Sequence, residues 1–284
     1  MPEGRRVSSS PRLSSKTPTV ESVVFLDRIL NCFSADSPAL GVTRIARLLH
    51  VPKARVHRFL SSMEQVGFVR RVPDSDLYAL GMRLYGLGML AVNGASDLER
   101  VNMRAQELSE RYGYTAVVGI WSDNEYLAVQ TFMPARSLGL AVHNGFHSAA
   151  YATAQGRIFL AFLPDHEQEA YFRETEFRAL TPETLTDVAG IRAELATIRE
   201  QLFAVASNQT VLGATAIAAP VFNAQGKVLA AIALVWFTPE LAPRATELGP
   251  QVRDIGLDLS AELGFRVPPP RTTSACAGEE TGAH

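Results

Sequence analysis

The chain has 284 residues, 47% of them hydrophobic and 20% charged, with 27 basic against 29 acidic side chains. That length holds one large or two modest domains, each able to bury a core. No apolar run reaches the ~18 residues of a membrane span. MPEGRRVSSSPRLSSKTP has no apolar centre for a secretory signal, and Cys32 with Cys276 makes neither a disulfide framework nor a metal set. The cytoplasm is the expected compartment.

The near-zero net charge hides a division. Residues 1–71 carry 12 basic and 5 acidic side chains, whereas residues 72–284 carry 15 and 24. Residues 1–18, rich in Ser, Pro and Arg, read as a disordered arm, whose Arg5, Arg6, Arg12 and Lys16 are candidates for phosphate or minor-groove contacts. A winged helix-turn-helix unit is expected over 19–80. Its first helix fits Val20 to Phe33, with Val23, Val24, Leu26 and Leu30 on a core face that Asp27 interrupts. Between Gly41 and Arg71 there are seven Lys or Arg and one acid, Glu64.

Within that stretch Thr43 can cap a short helix that buries Ile45, Leu48 and Leu49 and turns Arg44 and Arg47 outward. His50-Val51-Pro52 breaks it, with Pro52 suited to the first turn of the next helix. That helix keeps Val56, Phe59, Leu60, Met63 and Val66 on one stripe, with Lys53, Arg55, His57 and Arg58 crowded at its N-terminal end. Gly67 stops it. Residues 68–71 and 77–80 then read as two strands joined by Pro73-Asp74-Ser75-Asp76. A recognition helix presents its N-terminal end to the major groove, where Arg and Lys reach guanine edges or phosphates. A helix pair with merely solvated charges is the plainer reading, and the stripe, proline, glycine and hairpin together outweigh it.

An apolar linker helix is expected over 81–96; three glycines weaken it, so packing must hold it. It suits a dimer contact or a strut. A second unit follows over 97–264, opening with a helix from Asp97, its plausible cap, to Tyr112. TAVVGIWS and NEYLAVQTF flank an Asp123-Asn124 turn, SLGLAV is a third strand, and YATAQGRIFLAFL is a helix stopped by Pro164. Helices at 165–172 and 187–200 precede strands LFAVAS, TAIAAPVF and KVLAAIALVW, the last two joined by a turn over 223–226. A helix spans Arg244 to Leu263, and residues 265–284 read as a disordered tail. Hairpin-linked strands with outer helices give an α+β class with an antiparallel sensor sheet.

The chain resembles the IclR (isocitrate-lyase-regulator) family of bacterial transcription factors over about residues 20–264. The winged segment ending in YALGMRLYGLG carries the likeness first; YATAQGRIFLAFLP, TPETLTDVAGIRAELATIRE and VLGATAIAAPVFNAQGKVLAAIALV follow in order. The resemblance implies a winged helix, a helical linker and a GAF/PAS-like domain that binds small metabolites, often organic or aromatic acids, in dimers or dimers of dimers. It places DNA contacts at Thr43, Arg44, Lys53, Ala54, Arg55, His57, Arg58, Arg70 and Arg71. It places the effector site at Leu140, Ala149, Tyr151, Ala154, Gln155, Phe203, Val205, Ser207, Ala216, Ala233 and Val235.

Departures shape the expectations. Ala54-Arg55 stands where the family has a Ser-Thr pair, so Arg55→Ala is expected to change sequence preference and Lys53→Ala to weaken all sequences. Ser148-Ala149-Ala150-Tyr151 replaces Leu-Pro-Leu-His, Gly156-Arg157 replaces Gly-Lys, and Val205 to Gln209 replaces an acidic stretch. Small apolar walls at Ala216, Ala233 and Val235 suit a flat aromatic acid or amide with one polar end, although any one of these alanines is equally at home as plain core.

No phosphate loop or GxSxG elbow occurs. His143 and His147 lack a third metal ligand, Ser148 beside His147 is too local for a nucleophile–base pair, and Trp121 and Trp236 suit core or pocket wall. No metal or cofactor is expected. The resulting reading is a repressor of a catabolic operon, responsive to a small aromatic effector and binding a pseudo-palindromic DNA operator. An enzyme with a DNA-binding head is the alternative, and an interaction module that has lost DNA specificity is a weaker third.

Overall fold

A computed structural model describes residues 20–34, 37–93, 96–122, 124–134, 142–237 and 244–266. The expected arm at 1–18, nearly all of the tail and, apart from Val142, the expected strand SLGLAV lie outside those residues. The chain divides into two compact units, residues 1–96 and 97–284. The fold class is α+β: a winged helix-turn-helix unit and a unit built on an antiparallel sheet.

The first unit runs α1 (Glu21–Leu30), β1 (Ala39–Gly41), α2 (Val42–Leu49), α3 (Lys53–Gln65), β2 (Val69–Arg71), β3 (Leu77–Leu80) and α4 (Met82–Asn93). Phe25, Ile29, Ile45, Leu49, Val56, Leu60, Met63 and Tyr78 fill its core. On α1 the fully buried residues are Phe25 and Ile29; of the expected face Leu26 and Leu30 pack partly against the core, whereas Val23 is 64% exposed. Phenylalanine removes more apolar area from water than valine, and its ring meets Phe59 edge-on at 4.6 Å.

Gly41, not Thr43, holds the N-cap position of α2, and no side chain caps it; Thr43 lies in the first turn. The helix ends at His50, whose left-handed backbone (φ 54°) lets Val51 N–H reach the Ala46 carbonyl at 3.0 Å. Pro52 stands one place before α3, and α3 ends before Gly67 at φ 80°. A Cβ at Gly81 would collide with the Gly67 carbonyl oxygen, so the wing closes on α3 only with glycine there. The strands order β1-β3-β2, all antiparallel. The three-residue β1 was not anticipated from sequence, being too short to show alternation.

The second unit runs α5 (Ser96–Tyr112), β4 (Thr115–Ser122), β5 (Glu125–Phe132), β6 (His147–Ala149), a 3-10 turn (Ala150–Ala152), α6 (Ala154–Phe162) and α7 (Asp165–Glu174). It continues with α8 (Val188–Gln201), β7 (Ala204–Ser207), β8 (Ala214–Phe222), β9 (Val228–Phe237) and α9 (Arg244–Glu262). Helix α5 starts one residue before the expected cap, Asp97. Thr153 caps α6 by accepting from Gly156 N–H at 3.0 Å, and Asp187 caps α8 by accepting from Gly190 N–H at 2.7 Å.

The six strands order β6-β5-β4-β9-β8-β7, every pair antiparallel. Val117, Ala128, Ala204, Ala206, Ala218, Ala233 and Val235 share one core with Ile158, Phe159, Leu160, Ile191 and Leu195, which defines the inner face of the sheet. On the other face α9 packs so closely that a Cβ at Gly256 would meet the Pro220 carbonyl oxygen at 2.6 Å. Beyond the last residue of β8 paired with β7, Ala218, Pro220 has no N–H and Phe222 N–H donates to Ser260 Oγ at 2.8 Å.

Candidate functional site

The first candidate surface lies opposite the buried stripe of α3. Val56, Leu60 and Met63 face the core, so the helical period turns Lys53, Ala54, His57 and Arg58 to solvent. Thr43 and Arg44 on α2 and Arg70 on β2 are also exposed. Among the described residues, Arg44, Lys53, Arg58 and Arg70 join no ion pair, so their charge is open to an external anion.

Two expected members of this surface are held otherwise. Arg55 pairs with Glu21 and lies 4.2 Å from the centre of the Phe25 ring, which ties the recognition helix to α1. The Arg71 guanidinium lies over Tyr78, donates to its hydroxyl at 2.9 Å and contacts Glu64 at 3.4 Å, bracing the wing against α3. The exposed wing tip bears Asp74 and Asp76, which disfavour a phosphate there and leave Arg70 as the exposed cation of the hairpin that joins no ion pair among the described residues.

The second candidate lies on the inner face of the sheet beneath α6 and α7. Cross-strand pairing puts Val117 opposite Ala233, Ala216 opposite Val235 and Ala218 opposite Ala233, so these side chains form one small-residue floor. Around it Trp121 lies 5.8 Å from Phe159 and 6.2 Å from Tyr171, ring centre to ring centre. Gln155 Nε2 donates to Tyr126 Oη at 3.1 Å, both residues being buried. Burial pushes the Tyr126 hydroxyl well above the ordinary tyrosine pKa, so it stays protonated.

Of the expected effector residues, the structure brings Ala149, Tyr151, Ala154, Ala216, Ala233 and Val235 into this one cluster, with Gln155 joined through Tyr126. Tyr151 offers little polar capacity: its Oη donates to the Arg178 carbonyl at 2.7 Å and accepts from Arg178 N–H at 2.9 Å. Phe203, Val205 and Ser207 are not brought there. Val205 pairs with Ile217 and Ser207 with Thr215, which puts them on the opposite face from Ala204 and Ala206, and Phe203 packs on Gly249 of α9. Leu140 lies outside the described residues.

Arg157, 2% exposed, is the buried cation of this unit among the described residues. Its Nε donates to the Tyr151 carbonyl at 2.7 Å, Nη1 to Glu194 at 2.7 Å and Nη2 to Gln209 Oε1 at 2.8 Å. Gln209 passes the connection on, accepting from Leu185 N–H at 2.8 Å and donating to the Glu183 carbonyl at 2.7 Å. Burial lowers the guanidinium pKa and Glu194 opposes that shift. With three partners in place, this charge is spent on holding α6, α8 and the segment after β7 together.

Two residues of the inner face escaped the sequence reading. Thr115 pairs with Val235 and Thr131 with Val117, so both side chains point to the α6 side, and both Oγ1 atoms are buried without a hydrogen-bond partner among the described residues. The two-residue repeat of a β-strand was the available signal: it sets Thr115 in phase with Val117. His143 and His147 are both exposed, and His147 Nδ1 lies 3.5 Å from Glu125. No group of three metal-binding side chains occurs among the described residues, and no helix there is long and apolar enough to cross a membrane.

The family model for the bacterial transcriptional regulator IclR C-terminal region matches residues 92–261, and that for the IclR helix-turn-helix domain matches residues 28–73. The chain is 30% identical over 250 residues to the HTH-type transcriptional regulator KipR of Bacillus subtilis, spanning 86% of this chain and 98% of that protein. It is 27% identical over 249 residues to the HTH-type transcriptional regulator XynR of Escherichia coli, spanning 87% and 99%. The crystal structure of an IclR transcriptional regulator from Alicyclobacillus acidocaldarius matches with a TM-score of 0.77 and 27% identity, covering 87% of this chain and 100% of that one.

Proposed function

The chain belongs to the IclR family of bacterial transcriptional regulators, and we propose that it is a cytoplasmic repressor of a catabolic operon whose DNA affinity is set by a small aromatic effector. As a member of that family it is a transcriptional regulator rather than an enzyme, with a DNA-binding head and a C-terminal effector domain. The observation that carries the effector class is the inner sheet face: Ala216, Ala218, Ala233 and Val235 make a small-residue apolar floor in one cluster with the aromatic side chains of Trp121, Phe159 and Tyr171. A planar ring fits such a floor, and a few polar groups fix its orientation.

On the head, Thr43, Arg44, Lys53, Ala54, His57, Arg58 and Arg70 form the DNA face. Lys53, Arg58 and Arg44 serve phosphates, and His57 with Ala54 meets base edges. Arg55 and Arg71 act as positioners, since their guanidinium groups already hold partners within the head. A homodimer, or a dimer of dimers, sets two recognition helices in successive major grooves of a pseudo-palindrome. The exposed apolar side chains Met82, Tyr85 and Leu90 of α4 supply a seam between copies.

Effector binding and DNA binding are then linked reciprocally, by ~1–3 kcal/mol as is usual for such coupling. The test is a gel shift on the protein's own upstream region with and without hits from a thermal-shift screen of aromatic and aliphatic acids and amides. DNA affinity that stays the same at saturating ligand would sink the proposal.

A further inference from the structure

We infer that the hydroxyls of Thr115 and Thr131 form a polar subsite of the effector site and that it takes a neutral hydrogen-bonding group, a carboxamide or hydroxyl, in preference to a carboxylate. This rests on the effector reading above and deepens it. Thr131 stands opposite Val117 and Thr115 two residues before Val117 on β4, so the two are diagonal neighbours on one face, with side chains within mutual reach of one small group. Thr115 is 0% exposed. Both lie beside Val117 and Val235, part of the same floor as Ala216 and Ala233.

What sets these hydroxyls apart is that comparable ones in the same unit are satisfied. Ser109 Oγ donates to the Tyr114 carbonyl at 2.8 Å, Ser260 Oγ to the Gly256 carbonyl at 2.6 Å, and Thr184 Oγ1 to the Gln209 carbonyl at 2.7 Å. Thr215 donates to Ser207 at 3.1 Å, and Thr153 caps α6. A buried hydroxyl with no partner is costly. Of the buried polar atoms lacking one among the described residues, only these two stand side by side on the inner face, Asn102 Oδ1 being on α5 and Trp236 Nε1 on the other face of β9. That they are left unmet together calls for a reason. A bound ligand supplies the reason.

Its chemistry follows from the donors present. A hydroxyl both donates and accepts, so a pair of them matches a group that does the same, such as a carboxamide or an alcohol. A buried carboxylate needs a cation. Arg157 is already bound to Glu194 and Gln209, and no other Lys, Arg or His among the described residues is buried.

The experiment uses the full-length protein with benzamide, phenol and benzoate as probes, read by calorimetry and thermal shift, on wild type, Thr115→Val, Thr131→Val and Thr131→Ser. Benzamide is expected to bind at least tenfold more tightly than benzoate. Each valine variant is expected to weaken benzamide about five- to tenfold, the worth of one hydrogen bond, with serine restoring it to within about twofold. Without ligand, both valine variants are expected to melt higher than wild type, because each removes an unsatisfied hydroxyl.

Benzamide binding that neither valine variant weakens would overturn the subsite while leaving the aromatic reading intact. Benzoate binding more tightly than benzamide, or lower melting of both ligand-free valine variants, would likewise overturn it. Failure of all three probes to bind would overturn both this inference and the aromatic reading.

Discussion

The outward face of α3 and the inner face of the sensor sheet handle polar groups in opposite ways. On α3, Lys53 and Arg58 keep their charge in water and have no ion-pair partner among the described residues. Beneath α6 Arg157, the one buried cation among the described residues, has a partner for each branch of its guanidinium, and the inner-face polar groups left without a partner among those residues are two uncharged hydroxyls. A surface that reads a polyanion gains from uncommitted charge, because each phosphate neutralised releases counterions. An interior that receives a small molecule cannot keep a bare charge, so it holds neutral donors in reserve.

The contrast can be broken most forcefully at Arg157. Arg157→Met leaves Glu194 and the Tyr151 carbonyl without this donor and Gln209 with only the Leu185 N–H, and a loss of about 3–5 kcal/mol is expected from urea unfolding of the sensor unit. A loss below about 1 kcal/mol would show that this cation is not structural. Gly156→Ala comes next. Its new Cβ falls on the Ala150 backbone, for an expected cost of about 1–3 kcal/mol with DNA contacts untouched.

On the head, Lys53→Ala and Arg58→Ala are each expected to weaken cognate and scrambled duplexes alike. Each is expected to reduce the slope of log affinity against log salt by about 0.9, one phosphate's share. Arg55→Ala sharpens the contrast from its edge. The Glu21 pair is half-exposed, so a stability change of about 0.5–1.5 kcal/mol is expected from the ion pair and ring contact together. Both duplexes are expected to lose affinity equally; a loss confined to the cognate duplex would make Arg55 a base reader.

The smallest expected effect concerns Cys32. Burial raises its thiol from the ordinary 9.0 to about 11, with Arg28 opposing. A raised folded value means the stabilisation is complete below pH 9 and drains away as pH climbs from there through about 11. In a Cys276→Ser background, thiol labelling at pH 8 is expected only at the rate at which the head opens.

Legibility followed the same contrast. The head was readable because its two sides differ in kind: Val56, Leu60 and Met63 against Lys53, His57 and Arg58 fix both the helix and its face. The phase of α1 was not, since Val-Val-Phe-Leu satisfies several phases and only packing against Phe59 selects Phe25. In the sensor unit both sides of the sheet are covered, so its strands are nearly all apolar and the alternation that would orient them is faint. That is why the sequence puts Val205 and Ser207 on the face that the structure gives to Ala204 and Ala206. The hydroxyls of Thr115 and Thr131 were passed over because threonine is an ordinary strand residue; only the missing partners make them stand out.

The far end of β8 has one more consequence. An open strand border with spare N–H groups is a template on which a second chain can add a strand, the first step towards fibrous aggregates. Past Ala218 this border offers no donor at Pro220, and the Phe222 donor is consumed by Ser260 of the covering helix. Crowded molecules of this regulator are denied that seam for sheet-to-sheet growth. Replacing Ser260 with alanine would leave the buried Phe222 N–H without its acceptor.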